Sequence, residues 1–514
     1  MQPASSPSKP GESGMEGPGR RRWVLVVGVV AVALVGAIAA IAAMQVNKPI
    51  QSNSSTSSTI GAGSSGGPAP GSGGARSTVP GRPTSSVATG APSGTAGQAS
   101  PGTFEIAPPQ LVSTEKVCQL TGEYDKQTSP PSPTVNQTAT NWGLVGTDNG
   151  FSFEYGGRLW FLFGDSSPTP KFRHRDNTQN VPLRNPGDND SIAYSSDTAV
   201  DGCVHLAFIP DAIGAFARPN VLTQPGQAPV TLRTNEVPEA GISEGGNMYV
   251  VFGTDNFASN PPGGSGQPNG GPTRSVVGVA LNGAQDAQFR YLYDLSTRPN
   301  GKFTFVTLAN DIAGYVDFWG ADAGGSSYRH SPAYFARKPA DELGQPGGLQ
   351  YFSGTDASGL PEFSSSEAGA KPIVSDAPAD CIGEMSVQWN AYLGRWIMLY
   401  NCADDTPRNP RGIYMRLASA PWGPWSQPTT IFSTKAGLCA FIHRAVRPGQ
   451  PACDQLSAPN RSDIQGGDYA PYMIGRFTTG TRATSTAPAS TTIYYTMSTW
   501  NPYQVVIMAT TVQG

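Results

Sequence analysis

The sequence lacks the signals of several common enzyme and binding classes. Its net charge of −3 and its isoelectric point near 5.9 leave no excess of positive charge for a nucleic-acid partner. It has no phosphate-binding loop and no serine nucleophile elbow. The histidines lack metal-ligand spacing and no two cysteines have CxxC spacing, so no zinc site is predicted. We therefore predict no cofactor, no bound metal and no nucleic-acid partner.

Charged residues are absent from one long stretch near the N-terminus. Trp23 to Met44 comprises 22 uncharged residues, enough for a helix to cross a bilayer core of about 30 Å. Three arginines immediately precede it, and the positive-inside rule keeps that side in the cytoplasm. We predict a disordered cytoplasmic tail at residues 1–22 and a single-pass signal anchor at residues 23–44. A cleaved signal peptide is the alternative, because small residues before Met44 have the spacing of a cleavage site.

Large apolar residues are scarce in the next segment, residues 45–105. Ser, Gly, Pro, Thr and Ala dominate it, so it cannot bury a hydrophobic core. As a flexible linker it would have a root-mean-square reach of roughly 40 Å. We predict that it carries residues 106–514, a folded domain outside the cytoplasmic membrane, across the periplasm or cell wall.

The six cysteines all follow the linker, and an even number in an exported domain favours disulfides. The segment from Cys381 to Cys402 is predicted to form two strands around a turn, which places these two cysteines opposite each other. Cys439 and Cys453 bracket a short loop and form the next predicted pair. The remaining two cysteines would then pair with each other, although other connectivities stay open.

Residues 106–514 show an all-β pattern, in which short β-branched and aromatic runs alternate with Gly, Pro, Asn and Asp turns. The segment "TDNGFSFEYGGRLWFLFGD" resembles "TNEVPEAGISEGGNMYVVFGT", and further hairpins centre near residues 317–337, 384–402 and 469–500. Five hairpin units predict a five-bladed β-propeller. A decorated β-sandwich is the alternative fold.

The first hairpin carries an acid at each open end. Gly156-Gly157 predicts a two-residue turn with positive φ angles, so that the flanking residues Tyr155 and Arg158 pair across the hairpin. In an unbroken register Asp148 then lies directly opposite Asp165. Two carboxylates in a cleft can serve as the acid and the base of glycoside hydrolysis. The alternative is that each aspartate simply caps a turn.

Other acids and aromatic residues could contact a sugar. Asp190 and Asp197, which flank a strand after the first predicted blade, are interpreted as turn or hydrogen-bonding acids. The substrate-binding candidates are Glu384, Asp468, Trp319, Asp322, Trp500 and Tyr503. For the acids among them, a turn or hydrogen-bonding role is the alternative to sugar contact. For the aromatic residues, packing between blades is the alternative.

Several stretches resemble an actinobacterial family long described as of unknown function. They are "GTDNG…GGRLWFLFGD", "GEMSVQWNAYLGRWIMLY", "ASAPWGPWSQP" and "YYTMSTWNPYQVVIM", within residues 139–511. The family is linked to endo-D-arabinanase activity on mycobacterial-type cell-wall arabinan and to a five-bladed propeller. The resemblance implies that Asp148 and Asp165 are the catalytic acids and favours inversion of the anomeric centre.

Two functions follow from these observations. The first is a membrane-anchored endo-acting glycoside hydrolase that cuts the D-arabinan of arabinogalactan or lipoarabinomannan. The second is a non-catalytic propeller that binds carbohydrate or the cell wall. Both predict a cell-wall polysaccharide as partner and contact with the cytoplasmic membrane through a single helix.

Overall fold

The structure, a computed structural model, describes part of the chain. The described residues are 106–169, 190–212, 214–233, 235–255, 271–311, 313–323, 330–375, 380–402, 411–458 and 461–514. The predicted cytoplasmic tail (1–22), membrane helix (23–44) and linker (45–105) lie outside them. Within the described ranges, no helix has the length and apolar character needed to cross a bilayer.

The first sheet is built on the hairpin that holds the predicted acid pair. Gly156 and Gly157 have φ angles of 58° and 76°, which confirms the predicted turn. The strands of this sheet are β4 (Leu144–Tyr155), β5 (Arg158–Pro168), β6 (Ser191–Ser195) and β7 (Ala207–Phe208). Strand β6 was predicted to follow the first blade, but it pairs with β5 and belongs to that blade.

Three further sheets follow in chain order. The second has strands β8 (Asn220–Leu222), β9 (Pro238–Glu244), β10 (Asn247–Thr254), β11 (Arg274–Ala280) and β12 (Gln288–Thr297). The third has β13 (Phe305–Asn310), β14 (Tyr315–Ala321), β15 (Ala333–Pro339), β16 (Gln350–Thr355), β17 (Pro361–Ser364) and β18 (Pro372–Val374). The fourth has β19 (Met385–Asn390), β20 (Arg395–Cys402), β21 (Gly412–Ala418) and β22 (Thr429–Ser433).

The fifth sheet joins the two ends of the described chain. Its strands are β1 (Gln110–Gln119), β23 (Gly467–Met473), β24 (Thr479–Thr481), β25 (Ser490–Trp500) and β26 (Gln504–Gln513). Strand β1 pairs antiparallel with β26 at the outer edge of this sheet. The N-terminal strand of the domain therefore closes the ring against the C-terminal strand.

Short elements connect these sheets. They are the strand pair β2 (Tyr124–Asp125) and β3 (Ser132–Pro133), helices α1 (Thr138–Trp142) and α2 (Thr434–Gly437), and 3-10 turns at Asn282–Ala284, Ala340–Glu342, Glu367–Gly369 and Gly475–Phe477. The helical elements are each a single turn, so the described domain is all-β, as the sequence predicted.

The five sheets are the blades of a propeller, which confirms the predicted fold. Each blade has one innermost strand, and β4, β9, β13, β19 and β23 contact one another in a closed ring around a central channel. The C-terminal ends of the first four, with the residues that follow β23, meet at one cavity. The innermost strands therefore run in the same direction, and their N-terminal halves point toward the opposite end of the channel.

Aromatic side chains fill the space between blades. Trp319 of β14 is fully buried, packs against Phe335 and Trp396, and donates its indole N–H to the backbone carbonyl of Pro421 at 2.9 Å. It therefore joins the third and fourth blades in a shared core. This is the packing role that the sequence offered as the alternative to sugar contact.

All three predicted disulfides are present. Cys381 pairs with Cys402 across the fourth-blade hairpin, and Cys439 pairs with Cys453. The third bridge joins Cys118 of β1 to Cys203, which follows β6 of the first blade. This last bridge crosses the joint between the first and fifth blades.

Candidate active site

The predicted acid pair lies near the start of the first innermost strand, but in a different register from the one expected. From Tyr155 back to Phe151 the ladder follows the predicted pairing. A β-bulge then adds Gly150 to β4, so that Asp148 lies opposite Gly164 rather than Asp165. The prediction that the two aspartates face each other directly is wrong. It counted residues outward from the turn in an unbroken register, and such a count cannot anticipate an extra residue in one strand.

Asp148 is held by tyrosines from the fifth blade. Its Oδ2 accepts a hydrogen bond of 2.8 Å from the hydroxyl of Tyr469, on β23. The hydroxyl of Tyr503 donates a hydrogen bond of 3.3 Å to the backbone carbonyl oxygen of Asp165. Burial, together with the charge of Asp148, raises the pKa of Tyr503 well above its usual range. This phenol therefore stays protonated beside the two aspartates.

Asp165 is fixed by backbone amides and by a third acid. Its Oδ1 and Oδ2 accept the backbone N–H of Asn235 at 2.9 and 3.2 Å. Its own backbone N–H donates to Oδ1 of Asp190 at 3.0 Å. The exposed fraction is 5% for Asp165 and 9% for Asp148, so both acids lie in a shielded environment.

Asp190 is a buried acid in direct contact with Asp165. Burial raises its pKa well above the ordinary value, and the nearby charges of Asp148 and Glu236 add to that effect. The hydrogen bond from Asp165 and the charge of Arg218 act in the opposite direction. Within the described part of the chain, its Oδ2 has no hydrogen-bond partner. Burial therefore favours the protonated form of Asp190.

The backbone is strained around these acids. Asp165 has a φ angle of 44°, and four further non-glycine residues with positive φ lie beside the residues of the cluster. These are Asn149 (63°), Asn235 (60°), Ala470 (53°) and Asn501 (54°). Each such conformation costs roughly 1 kcal/mol or more and persists only where the surrounding structure enforces it. Strain of this kind is concentrated at functional sites.

Two of the other predicted acids lie at the starts of further innermost strands. Asp468 on β23 accepts a hydrogen bond from the hydroxyl of Thr434. Burial raises its pKa to about 6, against the effects of Thr434 and of the charge of Arg411. Glu384 is buried and immediately precedes β19. Both therefore lie toward the same end of the channel as Asp148, in the fifth and fourth blades.

The remaining predicted residues divide into two groups. Trp500 and Tyr503 pack edge to face with ring centroids 5.6 Å apart, so Trp500 adjoins the acid cluster through Tyr503. Asp322, in contrast, forms an ion pair of 3.0 Å with Arg298. Asp322 follows β14 of the third blade, and Arg298 follows β12 of the second. Trp319 is confined to the core described above. The structure thus brings Trp500 and Tyr503 to the acids, but not Trp319.

Sequence reasoning did not identify four members of the cluster. Tyr469, Asn235 and Glu236 were not singled out, and Asp190 was interpreted only as a turn or hydrogen-bonding acid. The weak repeat held a signal for two of them, because "TNEVPEAG" places Asn235 and Glu236 where the first hairpin has "TDNG". Tyr469 follows Asp468 directly and carried no signal of its own.

The arrangement places two shielded carboxyl groups, each held by a hydrogen-bond donor, near one end of the channel. Among the described residues, the group with three close potential metal ligands consists of Cys439, Cys453 and Asp454. Its two sulfur atoms already form a disulfide, so this group does not fit a metal.

Comparisons with solved structures found distant similarities. An exo-β-1,3-galactanase from Phanerochaete chrysosporium has 10% identity and a TM-score of 0.36, with 77% of this chain covered. The match spans only 64% of the galactanase. An α-L-arabinofuranosidase from Podospora anserina has 9% identity and a TM-score of 0.35, covering 78% of this chain and 97% of that one. An N-acetylgalactosamine deacetylase from F. plautii has 12% identity and a TM-score of 0.35, covering 77% and 95%.

A comparison with curated proteins found no match. At the level of families, residues 133–509 match the one described as "Domain of unknown function (DUF4185)". This match covers most of the domain and confirms the family resemblance expected from the sequence. The chain belongs to the DUF4185 family.

Proposed function

We propose that this protein is an endo-acting glycoside hydrolase that cleaves the D-arabinan of cell-wall arabinogalactan or lipoarabinomannan. The observation that carries the proposal is the pair of carboxyl groups of Asp148 and Asp165, shielded from solvent near one end of the propeller channel and held by Tyr469 and by the backbone N–H of Asn235. The substrate class rests on the family resemblance of the sequence stretches that contain these acids.

In this proposal the two aspartates divide the acid and base work. One protonates the glycosidic oxygen of the leaving sugar while the other activates the attacking water. Tyr469 orients the Asp148 carboxyl, and the amide of Asn235 orients that of Asp165. We propose inversion at the anomeric carbon, which nuclear magnetic resonance of the first product formed would test.

The experiment uses the full chain purified in detergent and incubated with arabinogalactan. We expect a ladder of arabinose oligosaccharides, because an endo-acting enzyme cuts at internal bonds. The Asp165→Asn protein, prepared in the same way, controls for contaminating hydrolases. Absence of oligosaccharides with the wild-type protein, or equal release by the variant, would contradict the proposal.

A non-catalytic carbohydrate-binding propeller is the second candidate. The low exposure of Asp148 and Asp165 favours it, because a substrate must reach both carboxyl groups for hydrolysis. The same incubation distinguishes the two functions. Retention of the protein on insoluble arabinogalactan without any release of oligosaccharide would support binding alone.

We also propose that residues 23–44 anchor the protein in the cell membrane with the propeller on the outer side. The proposal rests on the uncharged run and on the three arginines before it. A C-terminal fusion to a reporter that is active only outside the cytoplasm should be active. Activity of a cytoplasm-specific reporter at the same position would contradict the topology, and a mature chain beginning near residue 45 would indicate a cleaved signal peptide.

A further inference from the structure

The channel has a concave site at the end opposite the N-terminal halves of the innermost strands. A cavity of about 630 Å³ is formed there by the last residues of β4, β9, β13 and β19 and by the segment after β23. This volume lies within the range of roughly 300–1,000 Å³ that is usual for ligand sites. The acid cluster described above does not contribute to its lining.

An exposed tryptophan lines this cavity. Trp389 of β19 has 48% of its surface exposed, although it belongs to an innermost strand. Its ring packs edge to face on the buried Trp396, with centroids 5.8 Å apart, and this contact holds it in place. Burial of this surface by a ligand would be favourable, and the supported ring would lose little conformational entropy.

Polar groups surround the tryptophan in a fixed arrangement. Arg476 and Glu154 form a two-pronged ion pair, and Arg476 also donates to the backbone carbonyl of Asp197 at 3.0 Å. Gln388 donates its amide N–H to the carbonyl of Met473 at 2.9 Å, which leaves its amide oxygen as an acceptor. Asn310 adds an exposed side-chain amide.

This combination suits one class of ligand. A sugar ring has an apolar C–H face that packs on an aromatic ring and hydroxyl groups at its edge that both donate and accept hydrogen bonds. Amide, carboxylate and guanidinium groups supply the matching acceptors and donors. The Glu154–Arg476 pair neutralises its own charges, so the lining favours an uncharged ligand over an anion or a cation.

We propose that the cavity at the second end of the channel is a non-catalytic binding site for a neutral oligosaccharide segment, with Trp389 as its stacking platform. The choice of wall arabinan as the test polymer rests on the proposed function, whereas the site itself does not. Such a site would hold a polymer on the face of the propeller opposite the acids and raise the local concentration of chain near the enzyme.

The test is affinity electrophoresis of the full chain, in detergent, through gels that contain soluble arabinogalactan. All proteins carry Asp165→Asn so that the polymer is not degraded. We expect Trp389→Leu to weaken retention by roughly fivefold or more, as for an aromatic anchor in a binding site. Leu360→Ala is the matched control, because Leu360 is 63% exposed in a turn of the third blade, and it should leave retention unchanged.

Melting temperatures show whether Trp389→Leu remains folded. If that variant melts lower than the control, Asn310→Ala decides, since its exposed amide can be removed without opening the core. Retention that is the same in the tested variants and in the control would overturn the binding site. Loss of retention together with an absence of arabinan cleavage by the wild-type protein would support the site and contradict the proposed hydrolase.

Discussion

The carboxyl group of Asp148 lies over Gly164 of the neighbouring strand. A Cβ atom built on Gly164 would lie 2.4 Å from Nδ2 of Asn149, 2.7 Å from a methyl carbon of Val237 and 2.8 Å from Oδ1 of Asp148. These positions are too close for a real Cβ atom, so a side chain at residue 164 would force these neighbours, the acid among them, to move. The residue before Asp165 therefore determines where the other acid of the pair lies.

Gly164→Ala should consequently displace Asp148 and reduce arabinan cleavage by at least roughly tenfold, because misplacement of a reacting group by about 1 Å is that costly. Gly467→Ala is the control, since its Cβ would meet nothing nearer than 3.6 Å. The measurement is kcat/KM of both variants on arabinogalactan. Equal rates for the two variants would show that the position of Asp148 is not critical.

Neutralising either aspartate should remove most activity. We expect Asp148→Asn and Asp165→Asn each to lower kcat by about 10² to 10⁴, and the double variant to lose little more, because the two act as one unit. The melting temperature of each variant shows whether the fold is retained. Asp356→Asn, at an exposed turn, serves as the control. A variant that loses stability but keeps turnover would identify structural acids instead.

Two variants of Asp190 test whether this third acid works in its protonated or its charged form. Burial raises its pKa well above the ordinary value and so favours the uncharged form, which asparagine imitates. Asp190→Asn should retain kcat/KM within roughly threefold, whereas Asp190→Ala removes the acceptor for the Asp165 amide and should lose considerably more. If the asparagine variant were as inactive as the alanine variant, the working form of Asp190 would be its carboxylate.

Asp317 of β14 should make the free energy of unfolding of this protein depend on pH. Burial raises its pKa from the ordinary 3.8 to about 8, and neither of its oxygens has a hydrogen-bond partner within the described ranges. Between these two values the folded protein binds more protons than the unfolded chain, so the free energy of unfolding falls as pH rises. The slope from this one group approaches about 1.4 kcal/mol per pH unit.

Asp317→Asn should abolish that contribution. Relative to wild type, the variant should gain stability between about pH 5.5 and about pH 7.5, as measured by denaturant unfolding at several pH values. Asp356→Asn should not change the slope in this window, because hydrogen bonds lower the pKa of Asp356. Parallel curves for wild type and Asp317→Asn would refute the assignment.

The bridge between Cys381 and Cys402 spans 21 residues of the fourth blade. In the loop-entropy account, a loop of this size stabilises the folded state by about 3 kcal/mol. Replacing both cysteines with alanine should therefore lower the melting temperature, and reducing agent should no longer affect this blade. Peptide mapping without reduction should recover the two cysteines as one linked pair in the wild-type protein, and free thiols there would contradict the bridge.

The sequence predicted the blades because each is a local hairpin, whose turn residues and alternating pattern lie close together in the chain. It also led to Asp148 and Asp165, which belong to one hairpin. It could not anticipate the bulge at Gly150, since that depends on packing against the fifth blade. Tyr469 lies 321 residues from Asp148 and meets it only when the ring closes.

The bridge from Cys118 to Cys203 has a mechanical consequence. Strand β1 lies at the edge of its blade, where a strand is most easily peeled away by a pulling force or a protease. Peeling from Gln110 can release residues only as far as Val117, because the next residue is covalently tied to the first blade. The junction between the first and fifth blades is thus held by a covalent bond as well as by hydrogen bonds. A pulling force from the N-terminal side is borne by the disulfide instead of by the β1–β26 ladder.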